Sequence, residues 1–253
     1  MNNKFLSEYC NWGKHKSICL TVDIDWAPDY MLEDTYTLLK QLLPTLFATH
    51  DSLLLNQLSM EVDVGIHPNL SFGSSHGDNI QDAISFFKKL NYVNFSWLRF
   101  HILGNAYPDL EVFSKHGTQI DSSYCMLNGK YIVPHLQPGL DLVLAPYFWE
   151  DGLRLKAGVN DEFIDWDTKG LKIFDFHPID VYFNTPNISF RNNIKNLYPS
   201  VKHIPKLEAD NLINKKNFGT RDALLCIITK IKSGEVRTFS FAELNHAVRK
   251  INE

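Results

Sequence analysis

The amino-acid sequence predicts an α/β protein: a parallel sheet wrapped by crossover helices. Three observations carry that expectation. Short apolar runs rich in β-branched residues alternate with stretches of helical period, the pattern of repeated strand–helix–strand units. Residues able to do chemistry recur where those runs end, at Asp23 and Asp25, His67, Arg99 and His101, Trp149 to Asp151, and His177. In a parallel barrel those C-terminal strand ends converge on one mouth. The length, 253 residues, is that of one such domain.

Taken in order, residues 1–16 read as a polar surface lead-in without the apolar core of a signal peptide. Residues 17–25 form the first strand. Residues 34–43 carry apolar positions at helical spacing, and Pro44 ends that helix. A strand over 45–49 and a short helix over 53–58 follow. The third strand, 62–67, ends in His67, and 68–77 is a loop rich in Gly and Ser. Residues 79–90 make an amphipathic helix, and 95–103 a strand bearing Arg99 and His101. A helix over 108–116 stops at Gly117. Strands over 119–121, 140–148 and 171–177 complete the sheet, the second running into Trp149, Glu150 and Asp151. Residues 184–217, rich in Asn, Lys and Pro, read as an irregular insertion over the mouth. Two helices, 220–232 and 240–252, close the chain, the last opened by a Ser240–Glu243 capping box. No second domain boundary is visible, so 1–253 reads as one domain.

Composition excludes several classes. A net charge of −4 gives no electrostatic support for nucleic-acid binding. No apolar run reaches the length of a membrane span. The cysteines Cys10, Cys19, Cys125 and Cys226 show no paired spacing. They read as free thiols of a reducing compartment, the cytoplasm.

The chemistry centres on Thr21-Val22-Asp23-Ile24-Asp25-Trp26. Carboxylates at i and i+2 of a strand share a face, and two like charges need a cation or a proton between them. One of them could instead cap the turn at Ala27-Pro28-Asp29. If Asp25, His67 and His76 face one another, they make a zinc set with an open position for water. Asp23 would act as base, Arg99 would orient it, and His177 would protonate a leaving amine. His67 could also be a satisfied strand-end histidine, and His76 a solvated loop residue. His101 reads as lining or buttressing the site rather than binding metal. Glu150 and Asp151 beside Trp149 could be a loop charge pair.

These motifs resemble the polysaccharide deacetylase superfamily, the NodB homology group of carbohydrate esterase family 4 type, over about residues 17–185. Thr21 to Trp26 is similar to the family's Thr-Phe-Asp-Asp motif, Val64-Gly65-Ile66-His67 to the second motif, Leu98-Arg99-Phe100-His101 to the third, and Phe174-Asp175-Phe176-His177 to the fifth. The resemblance implies a distorted (β/α)7-type barrel and one divalent metal, usually zinc. It implies Asp23 as base, Asp25 and His67 as metal ligands, Arg99 as the residue orienting the base, and His177 as general acid. It assigns the backbone N–H of Ile102 to the oxyanion. Trp26, Asn69, His101 and Trp149 are read as lining residues. The acid tuning His177 is either in Phe148-Trp149-Glu150-Asp151 or in Asp165-Trp166-Asp167. One departure stands out: the family's second metal histidine falls at Ser71, a poor zinc ligand. Either His76 reaches in from the lengthened loop, or the site has fewer protein ligands, or metal is not held; blocks around His67 to Gly77 and His177-Pro178 look similar to a branch tied to lipopolysaccharide and surface-polysaccharide synthesis, a resemblance that implies His76 as the replacement.

The function implied is metal-dependent removal of an N-acyl group, first of all N-acetyl, from an amino sugar of a surface glycan precursor. Deformylation of a lipid-linked amino sugar, and glycan binding by a decayed deacetylase fold, are the alternatives. An unrelated phosphoesterase is disfavoured by the absence of a phosphate-cradling glycine loop. Oligomeric state is not encoded legibly.

Overall fold

The computed structural model describes residues 10–103, 106–127, 129–158 and 166–252. Its sheet contains β1 (Lys16–Asp23), β2 (Thr45–Ala48), β3 (Asp63–Ile66), β4 (Trp97–Leu98), β5 (Ile120–Asp121), β6 (His135–Leu136), β7 (Val143–Leu144), β8 (Trp149–Glu150), β9 (Gly170–Phe176) and β10 (Arg237–Thr238). The order is β6-β7-β5-β4-β3-β2-β1-β9-β8, and β10 pairs with the start of β1. Every pairing is parallel except β6 with β7.

The curled sheet is joined at its edges by a single segment. Residues 143–150 pair with β5 at their start, where the Ala145 N–H reaches Asp121 O at 2.8 Å. They pair with β9 at their end, where the Phe148 N–H reaches Ile173 O at 2.7 Å. The result is the distorted parallel barrel that the motifs imply. Pro146 lies at the hand-over, where its missing N–H interrupts the ladder. The expected strand over 140–148 is therefore two short ones.

β1 and β9 are the central strands. Residues Ser17 to Asp23 and Gly170 to Phe176 are all buried, as strands covered on both faces must be. One apolar cluster fills the space around them, with Phe47, Phe174, Phe176 and Leu224 fully buried. A second packs Ile84, Phe87, Leu110 and Phe113, from helices Ile80–Phe87 and Tyr107–Lys115, onto Ile66 and Leu98. The amphipathic spacing of residues 79–90 predicts that packing, and Asn79 caps the helix through the Gln81 and Asp82 N–H groups.

Several expected boundaries move. β1 stops at Asp23, and Asp25 and Trp26 adopt φ of 38° and 57°. Asp25 thus reaches the site from a left-handed turn, not by strand alternation with Asp23. The strand expected over 95–103 shrinks to β4, and His101–Leu103 is a 3-10 turn. The helix expected over 34–43 runs from Asp29 to Leu39 and starts after Pro28, whose fixed φ suits a helix entry. The lead-in is not all surface: Cys10 and Trp12 are buried, the latter in a turn of helix over Asn11–Lys14. Residues 184–217 are not irregular. They hold helices Ile188–Leu197 and Lys206–Leu212 with a 3-10 turn, Val201–His203, between them. Of the Ile188–Leu197 helix only Ile194 is buried, so its apolar period is faint.

Candidate active site

Three donor atoms meet where β1, β3 and β4 end. Asp25 Oδ1 lies 3.4 Å from His67 Nε2 and 3.2 Å from His101 Nδ1, and the two ring nitrogens are 3.2 Å apart. Zinc bonds of about 2.0–2.1 Å at tetrahedral angles place ligand atoms about 3.3 Å from one another. The triangle has that size. Asp25 Oδ1 is also buried with no hydrogen-bond partner, a cost that a cation would remove. His67 Nδ1 faces Arg99 O at 2.7 Å. Donation to that carbonyl keeps Nε2 as the lone-pair nitrogen, the usual outer support of a metal-binding histidine. The residues present fit a divalent metal.

Electrostatics favour positive charge at this point. Burial alone would raise the Asp25 carboxyl, but the His177 charge and the close approach of the His101, His177 and His67 rings hold it well below the usual range. Burial pushes His67 down, and Asp23 and Asp25 more than reverse it. A field that draws protons there also draws a metal cation.

Beside the triangle, Arg99 organises a buried network. Its Nη1 donates to Asp23 Oδ1 at 2.9 Å, to Thr21 Oγ1 at 2.9 Å and to Asp175 Oδ1. Its Nε and Nη2 hold the carbonyl and hydroxyl of Ser122, both at 2.9 Å. The guanidinium lies between Phe47 and Tyr147, 4.5 and 4.8 Å from their ring centroids. Asp23 Oδ1 is thereby fixed, and Oδ2 points toward the triangle, 3.5 Å from His67 Nε2.

On the other side, His177 ends β9. Asp151 accepts its Nδ1–H at 2.6 Å and its backbone N–H at 2.8 Å. Nε2 then faces Asp25 Oδ2 at 3.3 Å. Burial opposes the imidazolium, yet Asp151 and then Asp25 raise His177 well above its ordinary value. The Asp23 carboxylate and the His177 imidazole flank one centre, an arrangement suited to acid–base hydrolysis.

The family model of WbmS-like polysaccharide deacetylases matches residues 20–195. The chain belongs to the WbmS-like polysaccharide deacetylase family. As such it is a hydrolase of sugar carbon–nitrogen bonds, and the matched span encloses every residue of the cluster. A crystal structure from Bordetella bronchiseptica, described as that of a putative polysaccharide deacetylase involved in O-antigen biosynthesis, is similar to it. That structure gives a TM-score of 0.73 at 26% identity, covering 84% of this chain and 90% of the other. No curated protein matches.

The deacetylase geometry changes several sequence readings. His76 is not in the triangle. Its Nδ1 accepts the Asn69 N–H at 2.8 Å and its Nε2 faces Thr49 O at 2.6 Å. Both nitrogens serve backbone groups, so no lone pair is left for a metal. His101, read as a buttress, stands in the triangle instead. The Asn69 side chain bonds the Ser71 N–H and closes the loop. Trp26 lines the centre, edge-on to His101 and stacked on His76. Trp149 is a core residue, packed on Phe174 and Phe176. Asp151 is the acid that meets His177. Glu150 accepts from the Tyr147 hydroxyl, and burial raises its carboxyl. Of the rival motif, Asp165 lies outside the described residues, and Asp167 is exposed beside Lys16.

Sequence reading of the deacetylase missed Asp175, Thr21 and Ser122. Asp175 is fully buried, Oδ2 has no hydrogen-bond partner, and burial raises its carboxyl despite Arg99. The signal was present: an acid two residues before His177, in a mostly apolar strand, shares its face.

Proposed function

We propose that this deacetylase removes an N-acyl group, first of all N-acetyl, from an amino sugar of a surface polysaccharide or lipopolysaccharide precursor in the cytoplasm, with one divalent metal. The observation that carries the reading is the donor triangle of Asp25, His67 and His101, set between Asp23 and His177. Two imidazoles and a carboxylate are a common ligand set for catalytic zinc. The similar Bordetella protein's description, which names O-antigen biosynthesis, supports the substrate class. No helix among the described residues is long and apolar enough to cross a membrane.

When bound, the metal would acidify a water and polarise the acyl carbonyl. Asp23 Oδ2 accepts the proton of the attacking water, because Arg99 and Thr21 hold the rest of that network in place. His177 Nε2 gives its proton to the amide nitrogen as the carbon–nitrogen bond breaks. Asp151 keeps the imidazole oriented for that transfer. Ile102, at φ 60°, is held in a left-handed turn directly after His101. We assign its N–H to the carbonyl oxygen as negative charge develops there.

The test is release of acetate from N-acetylated amino sugars by the wild-type chain and by Asp23→Asn. Acetate released by the wild type and lost in the variant is expected. Formate released instead from N-formylated sugars would move the reading to a deformylase. Sugar binding that survives chelation, with no turnover, would point to a binding protein.

A further inference from the structure

The helix Ile188–Leu197 packs beside the catalytic turns. Its buried Ile194 shares one apolar cluster with Ala27, two residues past Asp25, and with Ile179, two past His177. Asn187 starts this helix by accepting the Phe190 N–H at 2.9 Å. Arg191 and Lys195 are one turn apart on the same side as Ile194, so the helix carries both to the His177 edge of the centre. Arg191 Nη2 faces Asp180 Oδ2 at 3.0 Å. Nη1 lies over Gly152, the residue after Asp151, where a Cβ would come within 2.7 Å of it. Glycine thus lets the guanidinium reach the wall that holds His177.

The protein leaves part of this cationic pair unused. Arg191 Nε is buried without a hydrogen-bond partner, Nη1 forms no hydrogen bond among the described residues, and 13% of the side chain is exposed. Burial opposes the Arg191 charge, and Asp180, Asp151, Asp25 and Glu150, in that order, more than restore it. Lys195 is exposed and pairs with no carboxylate among the described residues. Desolvation and then the Arg191 charge lower its ammonium, against the pull of Asp180 and Asp25. An anion between the two cations would relieve that repulsion. Arg191 offers a planar fork of donors and Lys195 a compact charge, the two ways in which side chains hold carboxylate and phosphate oxygens. In the deacylation proposed above, His177 protonates the nitrogen that stays on the sugar, while the acyl oxygen lies at Ile102. The sugar, not the acyl group, therefore meets this edge.

We propose that Arg191 and Lys195 bind an acidic group carried by the amino sugar, either a phosphate on its anomeric oxygen or a carboxylate of the sugar itself. The inference rests on the deacylase reading and deepens it, by making the substrate an anion. Zinc-loaded protein carrying Asp23→Asn, which prevents turnover, is titrated by calorimetry with N-acetylglucosamine, its anomeric phosphate and its uronic acid, and with the galactose counterparts. At least one acidic sugar should bind about tenfold or more tighter than its neutral parent, and the advantage should shrink as salt is added. Adding Lys195→Gln should remove most of that advantage and leave the affinity for the neutral sugars unchanged. Lys232→Gln is the control and should change nothing. Lys232 is exposed where helix Thr220–Lys232 ends, and the β10 strand that follows pairs with the start of β1, away from the site. A preference for the anomeric phosphates identifies a sugar on a phosphate carrier, and one for the uronic acids identifies an acidic sugar; either supports the site. Equal binding of acidic and neutral sugars, or a preference that Lys195→Gln keeps in full, overturns it. Acetate release by the wild type from the same sugars separates the two ideas. Release with equal kcat/KM from acidic and neutral sugars leaves deacylation standing and removes the anion site. A preference for acidic sugars that is lost in Lys195→Gln, without release from any sugar, keeps the anion site and removes deacylation.

Discussion

His177 and Asp151 are joined twice, through the imidazole Nδ1 at 2.6 Å and through the backbone N–H at 2.8 Å. The two hydrogen bonds to one carboxylate fix both the tautomer and the orientation of the ring. It also supplies the charge that, against burial, raises His177 well above its ordinary value. Asp151→Asn should therefore lower kcat by about 100-fold, the scale of general acid catalysis. The pH profile should move as well. A general acid works while protonated, so activity falls as pH rises through its pKa. Removing the Asp151 charge lowers that pKa, and the alkaline limb of kcat/KM should shift to lower pH. Asp167→Asn, at an exposed position, should leave the profile in place. An unshifted limb in Asp151→Asn would exclude His177 as the acid.

Arg99 bonds both Asp23 and Asp175. Replacing it with Met strands two buried carboxylates against each other. Breaking such a pair from one side costs roughly 3–5 kcal/mol. Denaturant unfolding at neutral pH should show a loss of that order. Burial already raises the Asp175 carboxyl against the pull of Arg99, and without the guanidinium it rises further, so protonation relieves the repulsion. The gap between Arg99→Met and wild type should therefore narrow as pH falls through the carboxylate range. A gap that is constant with pH would mean that packing between Phe47 and Tyr147, not charge, is what Arg99 supplies.

The central strands, and the placing of Asp23, His67, Arg99 and His177 around one centre, were legible in the sequence because their signals are local. β9 reads as a buried apolar run ending in His177, and His67 ends β3 in the same way. What was illegible depends on long-range contacts or on left-handed turns. Asp25 was expected on a strand, yet it sits past the strand end at φ 38°, a conformation no spacing rule predicts for aspartate. His76 and His101 exchanged places relative to the donor triangle because both lie in plausible positions along the chain. Only the fold shows that Thr49 O and Asn69 N–H occupy His76. The helix Ile188–Leu197 was hidden because it buries one side chain fully.

Ile102 adopts φ 60° while its side chain is 72% exposed. The left-handed region costs an L-residue roughly 1–2 kcal/mol, and the exposed side chain returns little through burial. Ile102→Gly should relieve that strain, partly offset by the greater chain entropy of glycine. We expect stability to rise by up to about 1 kcal/mol in thermal unfolding while kcat falls, since the turn that aims the N–H loosens. Lower stability together with unchanged kcat would remove the oxyanion assignment.

The metal assignment separates two histidines, His101 in the donor triangle and His76 in the loop of residues 68–77. In His101→Ala the triangle loses one of three ligands, and elemental analysis of the purified protein should show metal content well below one ion per chain. In His76→Ala the triangle stays whole. That variant instead leaves the Asn69 N–H and Thr49 O without their partner, a loss of about 1–3 kcal/mol for buried polar groups. It should keep its metal while unfolding at a lower temperature. Adding zinc to metal-stripped protein should raise the Tm of the wild type and of His76→Ala, because a ligand that binds only the folded state stabilises it. His101→Ala should respond weakly. The reverse pattern, with metal kept in His101→Ala and lost in His76→Ala, would require the loop of residues 68–77 to rearrange around the ion and would return His76 to the ligand set.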